Sequence, residues 1–305
     1  MIKEPFIIDN QAVEKALEVV SEKYREEAEI FHVIADRLLE RLHFIRLNPL
    51  RIVDFGARMG YTTKALSEHY KKTDIISLDF SVSLLNRARD SMQSNSPKML
   101  AAEYTLLPFA DQSVDLIFSN LAFQWSLNLQ KTLRECNRIL KPGGFLLFNT
   151  VGPDTLQELR TSFSDKKRHV HHFYDMHDIG DILTHLNFVD PVMDVERLTV
   201  LYSSVLQLIA DLKSMGAHNA AQDRSRGLMG KSQWQKMLKA YEKWRDENHA
   251  IPATIEVIYG HAFRSKVTSS QRKEEQEILI PFNHIKQRLN NVTHRLIIRK
   301  YNQIQ

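Results

Sequence analysis

Residues 51 to 151 alternate between short apolar segments and segments with helical spacing, and this alternation limits the fold more than any other feature of the chain. The apolar segments "RIVDF", "DIISLDF", "KMLAAEY", "VDLIFSN" and "FLLFNTV" have the length and composition of buried strands. Most of them are separated by segments of helical periodicity, "TTKALSEHY", "SVSLLNRARD" and "LQKTLRECNRIL". Strands that alternate with helices predict a doubly wound α/β fold, with a parallel sheet covered on both faces.

Two further strand-like segments, "VMDVERLTVLY" and "ATIEVIYGHAF", extend the predicted sheet to seven mostly parallel strands. The helix-like segments between them predict a helical cap at about residues 203–250, inserted before the last strand. Apolar residues at helical spacing also predict an N-terminal helical segment within residues 1–44. Residues 45–265 are expected to form the main domain with its cap, and residues 266–305 a loosely ordered extension.

The composition of the chain excludes several classes of protein. The 305 residues are 43% hydrophobic, which is enough for a substantial core. The apolar runs are shorter than the ~18 residues of a membrane span, and "MIKEPFIIDN" lacks the apolar block of a signal peptide, so we expect a cytoplasmic protein. A net charge of +4 is too small to indicate a general nucleic-acid binder. The single cysteine, Cys136, excludes internal disulfides and a thiolate-rich metal site.

The loop after the first predicted strand, "VDFGARMGY", has features of a binding loop. Gly56 and Gly60 allow a tight turn and a close approach of the backbone to a ligand, and Asp54 places a carboxylate beside that turn. The loop would lie at the carboxyl end of the first strand, where open α/β sheets bind ligands. The glycine spacing by itself leaves an ordinary strand-to-helix turn open as the alternative.

Two more carboxylates follow the next two predicted strands. Asp79 lies 25 residues after Asp54, about the interval at which a carboxylate meets the two hydroxyls of a ribose. Asp79 also suits the N-cap of the following helix, and the two roles are compatible. Glu103 follows the third strand. Carboxylates at three successive strand ends indicate a ligand at this edge of the sheet.

The motifs "VDFGARMG", "ISLDFS", "LLPFADQSVDLIFSN" and "ILKPGGFLLFNT" occur in this order over residues 45–150. They resemble the successive motifs of class I S-adenosylmethionine-dependent methyltransferases, which have a Rossmann-like fold. The resemblance implies S-adenosylmethionine as the cofactor. A nicotinamide-binding protein is disfavoured, because it would have a Gly-x-Gly-x-x-Gly loop and no "LKPGG" before the fifth strand.

The flanking segments "YREEAEIFHVIADRLLERL", "NLAFQW", "GPDTLQELR", "DLKSMGAHN", "RGLMGKSQW" and "PATIEVIYGHAF" resemble the malonyl-[acyl-carrier protein] O-methyltransferases of biotin synthesis. This resemblance implies methyl transfer to the free carboxylate of a malonyl thioester on acyl-carrier protein. Alternatives on the same fold are an arginine hydroxylase, a non-catalytic assembly protein, and a methyltransferase for another small carboxylate. A nucleic-acid amine methyltransferase is disfavoured, because "SNLAFQW" lacks the Asn/Asp-Pro-Pro-aromatic signature.

The resemblance also implies which residues bind the cofactor. The contacts carry over to Asp54, Gly56, Gly60, Asp79, Glu103 and Asn120, with Tyr24 and Trp125 as candidates for closing over the pocket. A packing role for Trp125 remains open. Glu103 replaces the more usual aspartate. Arg58 stands where a glycine is usual, so we expect its side chain to face solvent or a carboxylate rather than occupy the pocket.

Arg160, at the end of "GPDTLQELR", is the candidate for holding the substrate carboxylate, because a guanidinium grips a carboxylate in fixed geometry. The alternative for Arg160 is an ion pair with Glu158 or Asp154. Lys213 and His218 are further candidates for positioning the carboxylate.

Basic residues near the cap are candidates for docking an acidic acyl-carrier protein, although a solvated helix surface explains them equally. They are Lys213, Arg224, Arg226, Lys231, Lys236 and Lys239. A metal site at His169, His171 and His172 is disfavoured, because no thiolates or fixed carboxylates accompany them. We expect no metal and a monomeric chain.

Overall fold

The structure is a computed structural model. It describes residues 8–9, 11–15, 29–91, 97–165, 167–224, 227 and 229–266. The predicted C-terminal extension from residue 267 onward and Tyr24 lie outside these residues.

Seven strands form a single sheet in the order β3-β2-β1-β4-β5-β7-β6. They are β1 (Arg51–Phe55), β2 (Asp74–Asp79), β3 (Lys98–Ala101), β4 (Val114–Asn120), β5 (Leu140–Val151), β6 (Phe188–Tyr202) and β7 (Ile251–Arg264). Neighbouring strands among β1 to β5 pair in parallel, and β7 is antiparallel to both β5 and β6. The predicted doubly wound, mostly parallel sheet is confirmed.

Helices cover the sheet and extend it at one end. They are α1 (Glu29–Leu42), α2 (Tyr61–His69), α3 (Val82–Ser91), α4 (Leu129–Ile139), α5 (Gln157–Ser162), α6 (Met176–His185), α7 (Val205–Ser214) and α8 (Lys231–Tyr241). Residues 11–15 are also helical. As predicted for the cap, α7 and α8 lie between β6 and β7 in the chain. Within the described residues, the length and apolar character needed to cross a membrane are not combined in any helix.

The start of β5 differs from the prediction. The "KPGG" segment was expected to separate α4 from the fifth strand, but β5 begins at Leu140, directly after α4. Val114 of β4 pairs with Leu140 and Leu116 pairs with Phe145, so five residues of β5 span two pairing steps of β4. The extra residues bulge out, and Gly143 takes a positive φ of 77° there. The "KPGG" segment does change the direction of the backbone, but β5 pairs with β4 both before and after it.

The alternation of side chains along the strands divides the core into two layers. Val53 and Phe55 of β1 pack on one face with Leu133 of α4, and the lone thiol, Cys136, is fully buried in the same cluster. Ile52 packs on the other face with Leu38 of α1. A third cluster joins α7 and α8 of the cap to the ends of β6 and β7. The cap is therefore anchored to the sheet by its own hydrophobic core.

Candidate active site

The turn after β1 requires glycine. Gly56 has a φ of 76°, and the backbone N–H groups of Gly56 and Ala57 donate to the Leu78 carbonyl oxygen at 2.7 and 3.0 Å. A Cβ atom on Gly56 would lie 2.2 Å from the Cβ of Ala122. Gly60, which precedes α2, also has a positive φ, of 82°. The loop therefore crosses the end of β2 closely, which brings the ends of β1, β2 and β4 together.

Asp54 is fully buried at the end of β1. Its Oδ2 accepts hydrogen bonds from the hydroxyls of Thr62 and Thr63 at 2.7 and 2.5 Å. Its Oδ1 is buried and has no partner among the described residues. Burial raises the pKa of Asp54 to about 6, and the two threonine hydroxyls oppose that shift. Asp54 therefore keeps a free acceptor for a hydrogen-bond donor.

Asp79, at the end of β2, is also buried. Its Oδ2 accepts the backbone N–H of Arg58 at 3.0 Å, and its Oδ1 accepts that of Ser81 at 2.8 Å. Burial raises the pKa of Asp79, whereas these backbone donors and the nearby Arg58 charge lower it. The Phe80 backbone also acts on this carboxylate, and since a carboxylate offers about four acceptor positions, Asp79 can still accept a further hydrogen bond. The Oδ1 contact with Ser81 fixes the start of the next helix, as predicted for an N-cap role, and the ribose role of Asp79 stays a prediction.

The Arg58 side chain is buried rather than exposed to solvent. Only 9% of the residue is accessible, and its guanidinium carbon lies 4.8 Å from the centre of the Phe31 ring, in a cation-π contact. Its backbone has a φ of 49°, in the left-handed region. Of the two surroundings expected for Arg58, solvent or a carboxylate, solvent does not apply; its backbone N–H binds the Asp79 carboxylate, and its charge lowers the pKa of Asp79.

A cavity of about 350 Å³ lies beyond the ends of β2 and β3. Its lining includes Phe80, Glu103, Tyr104 and Trp125. Glu103 is exposed and accepts a hydrogen bond from the Thr105 hydroxyl. This arrangement offers flat aromatic surfaces together with the carboxylates of Glu14 and Glu103, which suits a heteroaromatic ring that carries an amino group.

A much smaller cavity, of about 20 Å³, lies beside the loop after β1. Gly56, Arg58 and Asn120 are among its lining residues. The Asn120 amide oxygen accepts a hydrogen bond of 2.8 Å from the Asn149 side chain, which fixes its orientation at the end of β4. Arg58 therefore lines the same small space as Gly56 and Asn120.

A third cavity, of about 140 Å³, lies between the sheet edge and the cap and is lined mainly by apolar side chains. They come from α1, the ends of β4 and β5, residues 155–159, residues 169–173 and the segment after α7. Trp125 lines both this apolar cavity and the 350 Å³ cavity. The two spaces are therefore neighbours that share one aromatic wall.

The segment that follows β5 is held against β7 by buried carboxylates. Glu158 accepts the Thr254 backbone N–H at 3.1 Å and also the Thr254 hydroxyl. Glu256 accepts the Asp154 backbone N–H at 2.7 Å. In this way the "GPDTLQELR" and "PATIEVIYGHAF" segments form a single wall of the apolar cavity, although they lie about a hundred residues apart.

The structure places the predicted carboxylate-positioning residues around this cavity rather than in its lining. Arg160 is exposed, and its Nη2 donates to the carbonyl oxygen of Thr155 at 2.9 Å. Its alternative ion pairs do not form among the described residues, because Asp154 pairs with Arg197 and Glu158 bonds Thr254.

Lys213 and His218 belong to the cap. Lys213 is exposed at the end of α7. His218 has a buried Nδ1 without a partner among the described residues, and burial lowers its pKa. Neither side chain lines the apolar cavity.

Several residues of the site were not identified from the sequence. Thr62 and Thr63 donate hydrogen bonds to Asp54. The sequence pattern that could have identified them is a pair of hydroxyl residues in the first turn of the helix that follows the glycine loop. Phe31 stacks on Arg58 and His171 lines the apolar cavity, but no local pattern marks either role. Within the described part of the chain, no three His, Cys, Asp or Glu residues are grouped as a metal site would require.

Comparison with known proteins agrees with this geometry. Residues 53–148 match the model of a methyltransferase domain family. The chain is 59% identical over 285 residues to malonyl-[acyl-carrier protein] O-methyltransferase 1 of Coxiella burnetii, covering 93% of this chain and 99% of the relative. It is 41% identical over 269 residues to the malonyl-[acyl-carrier protein] O-methyltransferase of Gallionella capsiferriformans, covering 85% and 92%.

Among solved structures, the YcgJ protein of Bacillus subtilis superimposes with a TM-score of 0.56 at 16% identity, covering 76% of this chain and 99% of that protein. This likeness supports the fold alone. The family is established by the sequence relatives, whose similarity extends over 93% and 85% of this chain. The chain therefore belongs to the malonyl-[acyl-carrier protein] O-methyltransferase family, within the class I S-adenosylmethionine-dependent methyltransferases.

Proposed function

We propose that this chain transfers a methyl group from S-adenosylmethionine to the free carboxylate of a malonyl thioester on acyl-carrier protein, giving the methyl ester that enters biotin synthesis. The observation that carries the proposal is the meeting, at Trp125, of a cavity that contains Glu103 beyond the ends of β2 and β3 and an apolar cavity under a cap. A cytoplasmic location is part of the proposal, since a single buried cysteine fits a reducing compartment.

The residues present fit the cofactor. Asp79 would accept the ribose hydroxyls, the 350 Å³ cavity with Glu103 would hold the adenine ring, and the free Oδ1 of Asp54 offers an acceptor deeper in the fold. Arg58 lines the narrow space by Gly56 and is the cation that would meet the cofactor's own carboxylate after a side-chain rotation. When bound, S-adenosylmethionine supplies a methyl group on a positively charged sulfur.

The protein's contribution to the reaction is positioning and exclusion of water. A malonyl carboxylate is already ionised at neutral pH, so no strong general base is needed. The apolar cavity removes water from the carboxylate, and the Trp125 wall keeps it beside the cofactor side of the site. These effects raise the fraction of encounters in which the carboxylate oxygen faces the methyl carbon.

Arg160 acts at the edge of the cavity in this proposal. Its guanidinium is exposed but tied to the carbonyl of Thr155, which does line the cavity. A fixed cation at this place attracts the carboxylate and leaves the interior uncharged. Lys213 and His218 contribute in the same way from the cap, with smaller expected effects.

Docking of the carrier protein uses the exposed lysines of α8. Lys231, Lys236 and Lys239 are exposed, and none of them forms an ion pair among the described residues. Arg224 does not contribute, because its Nη2 is bound to Asp9 at 2.8 Å. Arg226 lies outside the described residues. An acidic carrier would therefore meet a basic helix face next to the segments that line the cavity.

The test is incubation of the full chain with labelled S-adenosylmethionine and malonyl-acyl-carrier protein, followed by intact-mass measurement of the carrier. We expect the malonyl group to gain one methylene, and acetyl-carrier protein, which lacks the free carboxylate, to gain nothing. Label on protein arginine or nucleic acid, with none on the malonyl group, would overturn the proposal.

A further inference from the structure

The described lining of the apolar cavity offers no charged group that would neutralise a carboxylate. Among the described residues that line it, none is Lys, Arg, Asp or Glu. An ionised carboxylate that enters such a space must find hydrogen-bond donors, because its transfer from water is otherwise very unfavourable. The donors must therefore come from uncharged side chains in the lining.

Trp125 has an unused donor at this position. Its Nε1 is buried and has no hydrogen-bond partner among the described residues. An indole N–H can only donate, and a buried donor without a partner lowers stability. Most buried tryptophan nitrogens do find a partner, so this one indicates a ligand acceptor in the shared wall of the two cavities.

His171 supplies a second donor beside it. The backbone N–H of Ala220 donates to the Nε2 of His171 at 2.6 Å, and the His218 carbonyl oxygen lies 3.0 Å from the same nitrogen. A backbone hydrogen has a fixed position and the Ala220 contact is the shorter one, so we assign Nε2 as the acceptor and place the ring proton on Nδ1. The His171 and Trp125 rings are adjacent, with centroids 5.7 Å apart and planes at 85°. Burial lowers the pKa of His171, which keeps the ring uncharged at neutral pH.

The other polar side chains in the lining already serve the fold. Gln124 donates to the Leu121 carbonyl at 2.7 Å. Asn219 donates to the Arg168 carbonyl at 2.8 Å. Thr155 exchanges hydrogen bonds with the backbone of Glu256. His169 is bound to Asp165 at 2.7 Å. Gln124 and Asn219 each keep a second amide N–H, but Trp125 and His171 are the lining residues whose adjacent rings place two donors side by side.

We propose that the Trp125 indole N–H and the His171 Nδ1–H together bind the carboxylate that receives the methyl group. This inference rests on the proposed carboxyl methylation. Two uncharged donors orient the carboxylate but leave most of its negative charge on the oxygens, whereas a guanidinium inside the cavity would reduce its nucleophilicity. Arg160 attracts the substrate at the edge, and the two aromatic donors hold it for reaction.

Two conservative variants test the donors separately from packing. Trp125→Phe keeps an aromatic ring but removes the N–H, and His171→Gln keeps an acceptor for Ala220 but removes the Nδ1 donor. For each, we expect kcat/KM on malonyl-carrier protein to fall by roughly 10- to 100-fold. The Kd for S-adenosylhomocysteine should change by less than about threefold, and acetyl-carrier protein should inhibit the variants and the wild type equally.

His171→Asn is the matched comparison, because its amide can take the place of the Nδ1 donor while the bond to Ala220 is lost. We expect it to retain more activity than His171→Gln. The reverse order would show that His171 only holds the cap segment. Trp244→Phe, at an exposed tryptophan, should leave the activity unchanged.

The outcomes separate this inference from the proposed function. A wild-type chain that does not methylate malonyl-carrier protein removes the proposed function and this inference with it. An active wild type with Trp125→Phe and His171→Gln both within threefold of it overturns this inference alone. A loss in Trp125→Phe that equals its loss of S-adenosylhomocysteine affinity would assign Trp125 to the cofactor only.

Discussion

The two sides of the site that meet at Trp125 are built in opposite ways. On the cofactor side, Asp54 and Asp79 are buried and held by hydroxyl and backbone donors. On the substrate side, the cavity is lined mainly by apolar residues, and the part of its lining that the structure describes holds no Lys, Arg, Asp or Glu. The contrast teaches that one side recognises polar groups of a large ligand, whereas the other removes water from a small charged one.

The two sides also differ in the sequence distance between their parts. The two buried carboxylates of the cofactor side, Asp54 and Asp79, and the residues that hold them lie within residues 54–81, and Glu103 follows on the next strand end. The apolar cavity needs segments from α1, the loop after β5, residues 169–173 and the cap. The cofactor side is therefore a local structure, and the substrate side forms only when the whole chain has folded.

The largest effect should break the cofactor side at Gly56. Gly56→Ala places a Cβ 2.2 Å from that of Ala122, at a positive φ. We expect the free energy of unfolding to fall by about 4 kcal/mol and S-adenosylhomocysteine binding to be lost. Thermal denaturation and calorimetric titration measure the two. Gly230→Ala is the control, because nothing lies within 4 Å of its added Cβ; an equal loss there would exclude the clash as the cause.

Asp54→Asn tests whether the buried carboxylate of the cofactor side makes the stability of the protein depend on pH. Burial raises the pKa of Asp54 from 3.8 to about 6, so between these values the folded chain binds a proton that the unfolded chain has released. Ionised Asp54 therefore lowers stability as the pH rises, by up to about 3 kcal/mol above pH 6. Urea unfolding at a series of pH values should show this decline in the wild type and its loss in Asp54→Asn. Asp90→Asn, at an exposed position, should retain it.

Glu158→Gln tests the substrate side alone. The amide N–H₂ cannot accept one of the two hydrogen bonds from Thr254, so we expect a loss of about 2 kcal/mol in stability. The rate on malonyl-carrier protein should fall while the Kd for S-adenosylhomocysteine stays within about threefold. Glu242→Gln, which breaks a surface ion pair with Arg245, should change neither the stability nor the rate. If Glu158→Gln weakened S-adenosylhomocysteine binding as much as it lowered the rate, the two sides of the site would not be separable.

The smallest effect concerns the carrier rather than either cavity. We expect Lys236→Glu with Lys239→Glu to raise KM for malonyl-carrier protein about fivefold, an effect of about 1 kcal/mol that shrinks as salt is added. Steady-state kinetics at two ionic strengths measure it. Lys64→Glu, a charge reversal at an exposed position on α2, is the control. An equal rise in KM in this variant would show that the effect comes from the net charge of the protein and not from docking at α8.

The difference between the two sides explains what the sequence could predict. Strand order and the positions of Asp54, Gly56 and Asp79 follow from short-range patterns, because period and spacing are local properties. The burial of Arg58 did not follow, since its partner, Phe31, lies on α1. The roles of Glu158 and Glu256 likewise depend on a strand a hundred residues away. What the sequence could not show was contact between distant segments.

Cys136 has a practical consequence for experiments on this protein. It lies on α4 and is fully buried in the core, and this burial raises the pKa of its thiol. Since the thiolate is the reactive form, the native chain should resist maleimide reagents. A single cysteine introduced on the cap, for instance Ser232→Cys, would then carry a fluorescent dye without background labelling, so that cap movement during turnover could be followed directly.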